Sequence, residues 1–489
     1  MSLEGAEKYK NWNKEELIAK ILSYENQQKE INFISKNSTE LQSTADKNIT
    51  SVTETKRKKD RKKEVRPFDI TKYSQRHIAL KVTYLGFNYL GFAAQNDDLS
   101  LQTVEGQLFE VLKATRLISS PKECNFSRCG RTDKGVSGMG QVVALDVRSN
   151  ISLLTEDDKD IKPLENQEGS QKGNRSKRKR KEVIEELPYI ETLNRALPDD
   201  IRVVAWAPVP STFNARFDCK SREYKYYFAK ENLNIDLMRE AANKFLGQHD
   251  FRNFCKIDPA KQITNFERTI LDITIQPVIQ QEQNSLPKNQ QSEMRDFYEV
   301  SIRGTAFLWH QVRCMMAVLF LVGQQLEKPS IIDELLDVGK YPAKPVYEMA
   351  NDVPLVLYDC QFKQNIEWKY SRDDDLEFKM PSRLFKHFYE QWCNQRIKSL
   401  IIENFLNYIG KLSLKQLSVL ENQNQLIIDN NTMKLEEYIS LDSNKSTSIT
   451  LGGGKKMQSR KYIKFDQREK CDSVEHKNSK YKSKKARIE

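Results

Sequence analysis

The amino-acid sequence predicts an α+β fold in which two similar α/β halves with antiparallel sheets form a central cleft, extended by helical and disordered segments. Segments with strand and helix periodicity alternate from about residue 75 to residue 365, and their order is repeated in the second part of that stretch. The regions on either side are polar and strongly charged. Of the 489 residues, 38% are hydrophobic and 30% are charged, a balance typical of a globular core with polar extensions.

The two halves are predicted from alternating or continuous apolar runs, which indicate strands, and from helical spacing of apolar residues. In the first half we expect strands at 77–86, 140–149 and 201–209 and a helix at 103–116. In the second half we expect strands at 222–230, 269–279, 296–307 and 354–362 and helices at 235–247, 309–328 and 329–338.

Composition shifts divide the chain into four regions, two of them interrupted by insertions that are expected to be disordered because they hold few hydrophobic residues. The regions are an N-terminal helix and basic flexible arm at 1–66, a first core half at 67–212 with an insertion at 157–183, a second core half at 213–366 with a Gln-rich insertion at 280–294, and a helical region with a basic disordered tail at 367–489.

The charge and cysteine content narrow the functional classes. The formal net charge of +11 favours an anionic partner, with nucleic acid the first candidate. The eight cysteines are spread singly, without a C-x-x-C pair or a zinc-type spacing, so the sequence predicts reduced thiols and no metal site. The most apolar run, 314–323, is about half the length of a membrane span, and no membrane partner is expected.

One short segment places a carboxylate between two basic residues and several glycines. In FSRCGRTDKGVSGMGQ, residues 126–141, Asp133 lies between Arg131 and Lys134. The glycine spacing is that of a phosphate-binding loop, but Val136 stands where such a loop needs lysine, which argues against nucleotide binding. A tight turn with a purely structural aspartate remains the alternative on these residues alone.

A second unusual charge is Arg313, which directly precedes the most hydrophobic run of the chain. Buried arginines are rare unless they pair with an anion, and a neighbouring guanidinium keeps a carboxylate ionised. We therefore expect Arg313 to lie within salt-bridge distance of Asp133. The alternative is an arginine whose stem is buried and whose head reaches water.

Aromatic and basic residues alternate in two segments of the second half. In 213–230, strand alternation places Tyr224, Tyr226 and Phe228 on one face, and a tyrosine at the end of the cleft can stack on an unpaired base. The segment 249–256 interleaves phenylalanines with basic residues, including Arg252, a pattern suited to looped RNA and to substrate binding by this arginine.

Three segments resemble, in order and approximate spacing, the signature segments of the TruA-type tRNA pseudouridine synthases: RCGRTDKGVSGMGQVV, STFNARFDCKSREYKYYF and FLWHQVRCMMAVLFLVG. Further stretches resemble the eukaryotic branch of that family, which acts on positions 38 and 39 of the tRNA anticodon stem-loop: RHIALKVTYLGFNYLGFAAQ, LPYIETLNRALPDDIRVVAWAPV, GQHDFRNFCKID, EKPSIIDELLDVGKYPAKPVYEMA and PLVLYDCQF. The resemblance covers about residues 66–365, and no dependable match is apparent after 365.

The resemblance implies an isomerase that converts uridine to pseudouridine in a central catalytic cleft, without a cofactor or a metal. Asp133 would be the catalytic carboxylate, kept ionised by Arg313. Arg131 would help to extrude the target nucleotide, and Tyr224 would stack on the flipped base. The resemblance assigns no role to Lys134, for which we expect a contact with phosphate. Whether the carboxylate attacks C1′ or acts as a base at C2′ is left open. The resemblance further implies tRNA as the partner and a homodimer, which family members commonly form.

Two other classes of function fit the sequence less well. A catalytically silent RNA-binding protein should lack Asp133 or its arginine partner, and this sequence has both. A nuclear DNA-binding factor is favoured by the basic runs at 56–66 and 177–181, but no helix-turn-helix, zinc or basic-zipper pattern accompanies them. The same basic runs resemble nuclear-localisation clusters, so the expected location is nuclear, cytoplasmic or both.

Overall fold

A nine-stranded sheet carries both halves of the fold in the computed structural model, which describes residues 68–94, 102–151, 185–278, 297–370, 383–424 and 447–486. The strands, including a separate two-stranded hairpin, are β1 (Ser74–Tyr84), β2 (Ser127–Arg128), β3 (Ser137–Ser149), β4 (Ile201–Pro208), β5 (Cys219–Ala229), β6 (Gly247–Asp250), β7 (Glu267–Pro277), β8 (Phe297–Gly304), β9 (Leu355–Phe362), β10 (Thr447–Gly452) and β11 (Lys455–Ser459). The helices are α1 (Val104–Ala114), α2 (Tyr189–Asn194), α3 (Ile235–Asn243), α4 (Gln311–Gly323), α5 (Ile331–Leu336), α6 (Arg383–Asn424) and α7 (Val474–Lys485).

The order of the strands places the junction of the two halves in the middle of the sheet. The order is β4-β1-β3-β9-β5-β8-β7-β6, with β2 paired to β3. Strands β1 to β4 come from the first half, and β5 to β9 come from the second. The only parallel pairing described within this sheet joins β3 to β9, with Ser137 opposite Val356 and Gly138 opposite Leu357. The predicted α+β fold of two halves with antiparallel sheets is confirmed, and the halves share one continuous sheet.

The first half is closed by α1 against the sheet. Thr103 caps this helix, since its side chain accepts a hydrogen bond from the backbone N–H of Gly106. Leu108 and Leu112, four residues apart on one face, are fully buried together with Val104. They pack in a hydrophobic cluster that includes residues of β1, β3 and β4. Helical spacing of apolar residues therefore fixes which face of α1 covers the sheet.

The second half is built around α4. Every residue of this helix is buried except Arg313, which is partly exposed. The helix lies in the cluster formed by β5, β7 and β8, where the side chains of Tyr226 and Phe228 are buried on the face predicted from strand alternation. Two helices end earlier than predicted. The helix predicted at 309–328 ends at Gly323, and α3 ends at Asn243, so that Gly247, with φ of 96°, begins β6 instead of ending the helix.

The region after residue 366 contains more order than the sequence predicts. The tail was expected to be disordered, but the described part of it forms α7 as far as Lys485, and Ser473 caps that helix. Phe465 and Val474 are buried in the core of the second half, together with Ile449 of the β10–β11 hairpin. The prediction is wrong here because these few apolar residues are spaced too widely to give a periodic signal.

Some predictions concern residues outside the described ranges: the helix at 12–31, the basic arm at 56–66 and the two insertions at 157–183 and 280–294. The described residues all belong to one unit, Phe68–Glu489. Among the helices of the described ranges, none combines the length and apolar character that crossing a membrane would require.

Candidate active site

The loop between β2 and β3 holds Asp133 at the junction of the two halves. The side chain of Gln141 binds Gly130 twice: its Nε2 donates to the carbonyl at 2.9 Å and its Oε1 accepts from the N–H at 3.2 Å. Further along, the Thr132 hydroxyl lies 2.8 Å from the buried hydroxyl of Tyr84. Both anchors come from strands of the first half, so the backbone on the N-terminal side of the aspartate is fixed to the sheet.

Glycine is required on the other side of the aspartate. Gly135 has φ of 79°, a left-handed conformation in which a side chain is strained. The turn is closed by the N–H of Val136, which donates to the carbonyl of Asp133 at 3.2 Å. Gly86 packs against the same turn so closely that a Cβ there would lie 1.9 Å from the Val136 carbonyl oxygen. The glycines thus allow a tight turn to pack directly under the carboxylate.

The side chain of Asp133 faces His310. Oδ2 of the aspartate lies 3.4 Å from Nε2 of the histidine, and the two side chains are 22% and 11% exposed. His310 precedes α4 with φ of 61°, which is unusual for a residue other than glycine. Its Nδ1 is buried and has no hydrogen-bond partner among the described residues. A strained backbone and an unsatisfied ring nitrogen beside a carboxylate are features that concentrate at functional sites.

Arg313 does not form the expected ion pair with Asp133. Its Nε donates to the carbonyl of Ala350 at 2.8 Å, and its nearest described carboxylate partner is Asp352, at 3.9 Å from the guanidinium. Asp352 in turn lies against the turn, because a Cβ on Gly135 would be 3.0 Å from its Cγ. The predicted contact is wrong because the residue that the start of α4 places beside the Asp133 carboxylate is His310, three residues before Arg313. Arg313 reaches the loop only through Asp352.

Tyr224 of β5 lies close to the loop. It is buried in β5, and its ring packs edge-on to Phe307 with centroids 5.1 Å apart. A Cβ on Gly130 would lie 3.9 Å from its hydroxyl oxygen. Burial raises the pKa of this phenol, so it stays neutral at physiological pH.

The surface beside the loop is basic. Arg131 and Lys134 are both exposed. Arg128 forms an ion pair with the buried Glu105 at 2.7 Å. The pKa of Arg128 is lowered, chiefly by burial, and Glu105 opposes this shift. The positive charges of Arg131 and Arg216 lower it further, so both of these arginines lie within electrostatic range of Arg128. Such a cluster favours the binding of phosphates.

Arg252, predicted to bind substrate, is already engaged. Its guanidinium donates three hydrogen bonds to the carboxylate of Asp250, the shortest at 2.8 Å, and lies 5.7 Å from the centre of the Phe266 ring. The hydrogen bond with Asp250 raises the pKa of this arginine. None of its described contacts involves the Asp133 loop, so the structure does not join it to the other predicted residues.

Sequence reasoning missed His310 and its neighbour Trp309. The indole is 38% exposed, its ring lies 4.7 Å from the imidazole, and the ammonium groups of Lys256 and Lys261 lie 4.9 and 5.4 Å from its centre. The signal was present in FLWHQVRC, where Trp309 and His310 precede Arg313 by four and three residues. An exposed aromatic ring flanked by lysines suits a single-stranded nucleic acid.

The arrangement favours covalent or acid–base chemistry on an anionic substrate. Asp133 offers a partly exposed carboxylate, and His310 offers a second titratable group beside it. Tyr224 supplies a neutral aromatic wall, and the surrounding arginines and lysines supply positive charge. None of these contributions depends on a metal ligand or a cofactor-binding motif.

Comparisons with known proteins agree on one family. A family model described as tRNA pseudouridine synthase matches residues 241–363. The tRNA pseudouridine(38/39) synthase of Saccharomyces cerevisiae is 39% identical over 486 residues, which cover 98% of this chain and 92% of the relative. The proteins of the same name from Bos taurus and Homo sapiens are 45% and 43% identical over 71% and 70% of this chain, and those alignments span 67% and 65% of the relatives.

The alignment with the yeast relative reaches beyond residue 365, so the expectation of no dependable match there was wrong. The signal was missed because the later region has no motif with a recognisable spacing, whereas a full-length alignment sums weak similarity over many positions. With this identity across nearly its whole length and the aspartate loop at the junction of two sheet halves, the chain belongs to the TruA-type tRNA pseudouridine synthase family.

Proposed function

We propose that the chain isomerises uridine to pseudouridine in the anticodon stem-loop of tRNA, at positions 38 and 39. The observation that carries the proposal is the position of Asp133, a partly exposed carboxylate held on a rigid turn beside His310. The printed names of the yeast, bovine and human relatives support the choice of substrate and positions.

The proposed reaction is balanced without a co-reactant. The N1–C1′ bond of uridine breaks, the uracil turns, a C5–C1′ bond forms, C5 loses a proton and N1 gains one. Asp133 acts either as the nucleophile at C1′ or as the base at C2′, and both roles require its ionised form. Tyr224 packs against the uracil ring and, being neutral and buried, keeps water from one side of the site.

Binding of the substrate is assigned to the basic and aromatic surface around the loop. Arg131 stands two residues from Asp133 and is exposed, so it can fill the space left by an extruded nucleotide. Extrusion costs a few kcal/mol of stacking, and less at the end of a stem. Lys134 and Arg216 are placed to contact phosphates, and Trp309 offers a platform for an unpaired base.

A second copy of the chain is the proposed partner of helix α6. Its exposed large hydrophobic residues are Phe385, Tyr389, Trp392, Ile397, Leu400, Ile401, Ile402, Phe405, Leu406, Tyr408, Ile409 and Leu412. A monomer rarely exposes so many contiguous apolar side chains, and burying them in a homodimer removes that surface from water. The N-terminal end of α6 is fixed to the core, because His387 and Gln391 both bind the carbonyl of Asp199 at 2.7 Å.

Nuclear and cytoplasmic locations are both proposed, on the basis of the basic runs at 56–66 and 177–181. Such runs attract both import receptors and tRNA phosphates.

The proposed activity is tested by mapping pseudouridine in tRNA incubated with the purified chain. Asp133→Asn should abolish product while tRNA affinity stays within a few fold, because the amide is isosteric but is neither a nucleophile nor a base. The matched control is Asp236→Asn, since this aspartate is 90% exposed and pairs only with Arg239 on the same helix turn. Substantial turnover by the Asp133 variant would disprove the assigned role.

A further inference from the structure

Three cysteines from distant parts of the sequence meet behind the Asp133 loop. The Sγ atoms of Cys129, Cys219 and Cys360 all lie within 4.8 Å of one another, and each residue is buried. Cys129 directly follows β2, Cys219 begins β5 and Cys360 lies in β9. The sequence predicted no metal site because it offered no local cysteine spacing. The topology brings the thiols together by placing β3, β9 and β5 side by side.

A cation stands next to this cluster. The guanidinium of Arg222 donates to the backbone carbonyl of Cys129 from Nε at 3.3 Å and from Nη2 at 2.9 Å. Its partly buried positive charge lies within electrostatic range of all three sulfurs. A neighbouring cation stabilises thiolates, which are the form of cysteine that binds metals.

The separation of the sulfurs fits metal binding better than it fits a disulfide. Sulfur–metal bonds of about 2.3 Å place the sulfurs of a three-thiolate site roughly 4 Å apart, whereas a disulfide needs about 2 Å. All three cysteines are free, so each sulfur is available as a ligand.

We propose that Cys129, Cys219 and Cys360 form a binding site for a soft d¹⁰ cation, Zn²⁺ or Cu⁺, held by three thiolates. Soft thiolate ligands select these ions over Mg²⁺, Ca²⁺ and Mn²⁺. Binding releases the three thiol protons. Three thiolates leave a net charge of −1 around Zn²⁺, which Arg222 offsets, and of −2 around Cu⁺, which Arg222 offsets in part. The metal would tie the start of the Asp133 loop to two strands of the second half, and it is a structural site because the catalytic proposal does not use it.

The first experiment measures metal in the full-length chain, purified without chelators, by inductively coupled plasma mass spectrometry. About one equivalent of zinc or copper per chain is expected. In a second measurement, the chain is loaded with each of these two ions in turn and titrated with a chromophoric chelator, which shows whether the chain retains the ion. X-ray absorption should show a first shell of three sulfurs. Which ion gives stoichiometric retention decides between Zn²⁺ and Cu⁺. Substoichiometric metal that both chelator titrations remove, or a shell of nitrogen and oxygen, would overturn the proposal.

Variants localise the site. Cys219→Ser and Cys360→Ser should each lose the metal, whereas Cys393→Ser and Cys471→Ser, at cysteines that are only partly buried and lie outside the cluster, should keep it. Adding the metal should raise the melting temperature of the parent chain and of the control variants, and not that of the cluster variants. Retention of a full equivalent by both cluster variants would place the metal elsewhere. The parent-chain measurement remains decisive if a cluster variant fails to fold.

Discussion

Nε2 of His310 lies 3.4 Å from Oδ2 of Asp133, and the histidine achieves this approach in a left-handed backbone conformation with φ of 61°. The strain is sustained because α4, which begins at the next residue, is buried almost throughout its length. The imidazole thus contacts the carboxylate from the start of a rigid helix, and this contact restricts the orientation of the Asp133 side chain. We infer that His310 positions the carboxylate for the reaction.

Replacing His310 with Asn should lower kcat by about 10- to 100-fold, because an unsupported carboxylate loses its orientation. Asn tolerates the left-handed conformation, so the fold should be kept. The KM for tRNA should change much less. Steady-state pseudouridine formation measures both quantities, and a thermal melt checks the fold. The control is His476→Asn on the exposed helix α7. A His310 variant with the parent's kcat would contradict the positioning role.

Much of the fold followed from the sequence because strand and helix periodicity is a local property. The strand predicted at 201–209 occupies Ile201–Pro208, and the helix predicted at 103–116 occupies Val104–Ala114. The position of Asp133 beside a second titratable group was not accessible in the same way. Which residue of FLWHQVRC meets the aspartate depends on where α4 starts, and a shift of three residues exchanges His310 for Arg313. Contacts between distant segments need the topology, not the pattern.

Arg313 should still influence activity, through Asp352. Arg313→Met fills similar apolar volume but leaves the Asp352 carboxylate without its guanidinium, next to the turn that holds Asp133. We expect kcat to fall by about 10-fold or more, and Arg313→Lys to be milder because it keeps the charge. Steady-state kinetics and thermal melts of both variants separate a catalytic loss from unfolding.

A double variant tests the route of that effect. If Arg313 acts by neutralising Asp352, then Asp352→Asn should restore part of the activity lost in Arg313→Met, since the unpaired charge is removed. Additive losses in the double variant would show that the two side chains act independently. A Met variant as active as the parent would show that the arginine has no part in the reaction.

Gly135→Ala should destabilise the fold by roughly 1 kcal/mol or more, for two reasons. An alanine is strained at the backbone φ of 79°, and its Cβ would lie 3.0 Å from Cγ of Asp352. Activity should fall as well, since the turn under Asp133 must shift. Urea denaturation of the variant measures the first effect. The matched control is Gly410→Ala in α6, where a Cβ meets nothing within 4 Å and the helix gains from alanine. Equal stability of the two variants would argue against strain in the loop.

The exposed apolar face of α6 gives the last prediction. Ile401 and Phe405, four residues apart on this helix, are 49% and 63% exposed. If a second copy covers them, placing two glutamates there buries unpaired charge at the interface and should convert a dimer to a monomer. Because neither side chain packs in the core, the double variant should remain folded as a monomer. Its melting temperature should fall by no more than the loss of the partner subunit accounts for. Light scattering during size-exclusion chromatography gives the mass directly.

Val346→Glu, at a 50% exposed site outside α6, is the control and should remain dimeric. A parent chain that is monomeric at micromolar concentration would contradict the homodimer, while a dimeric double variant would move the interface away from α6.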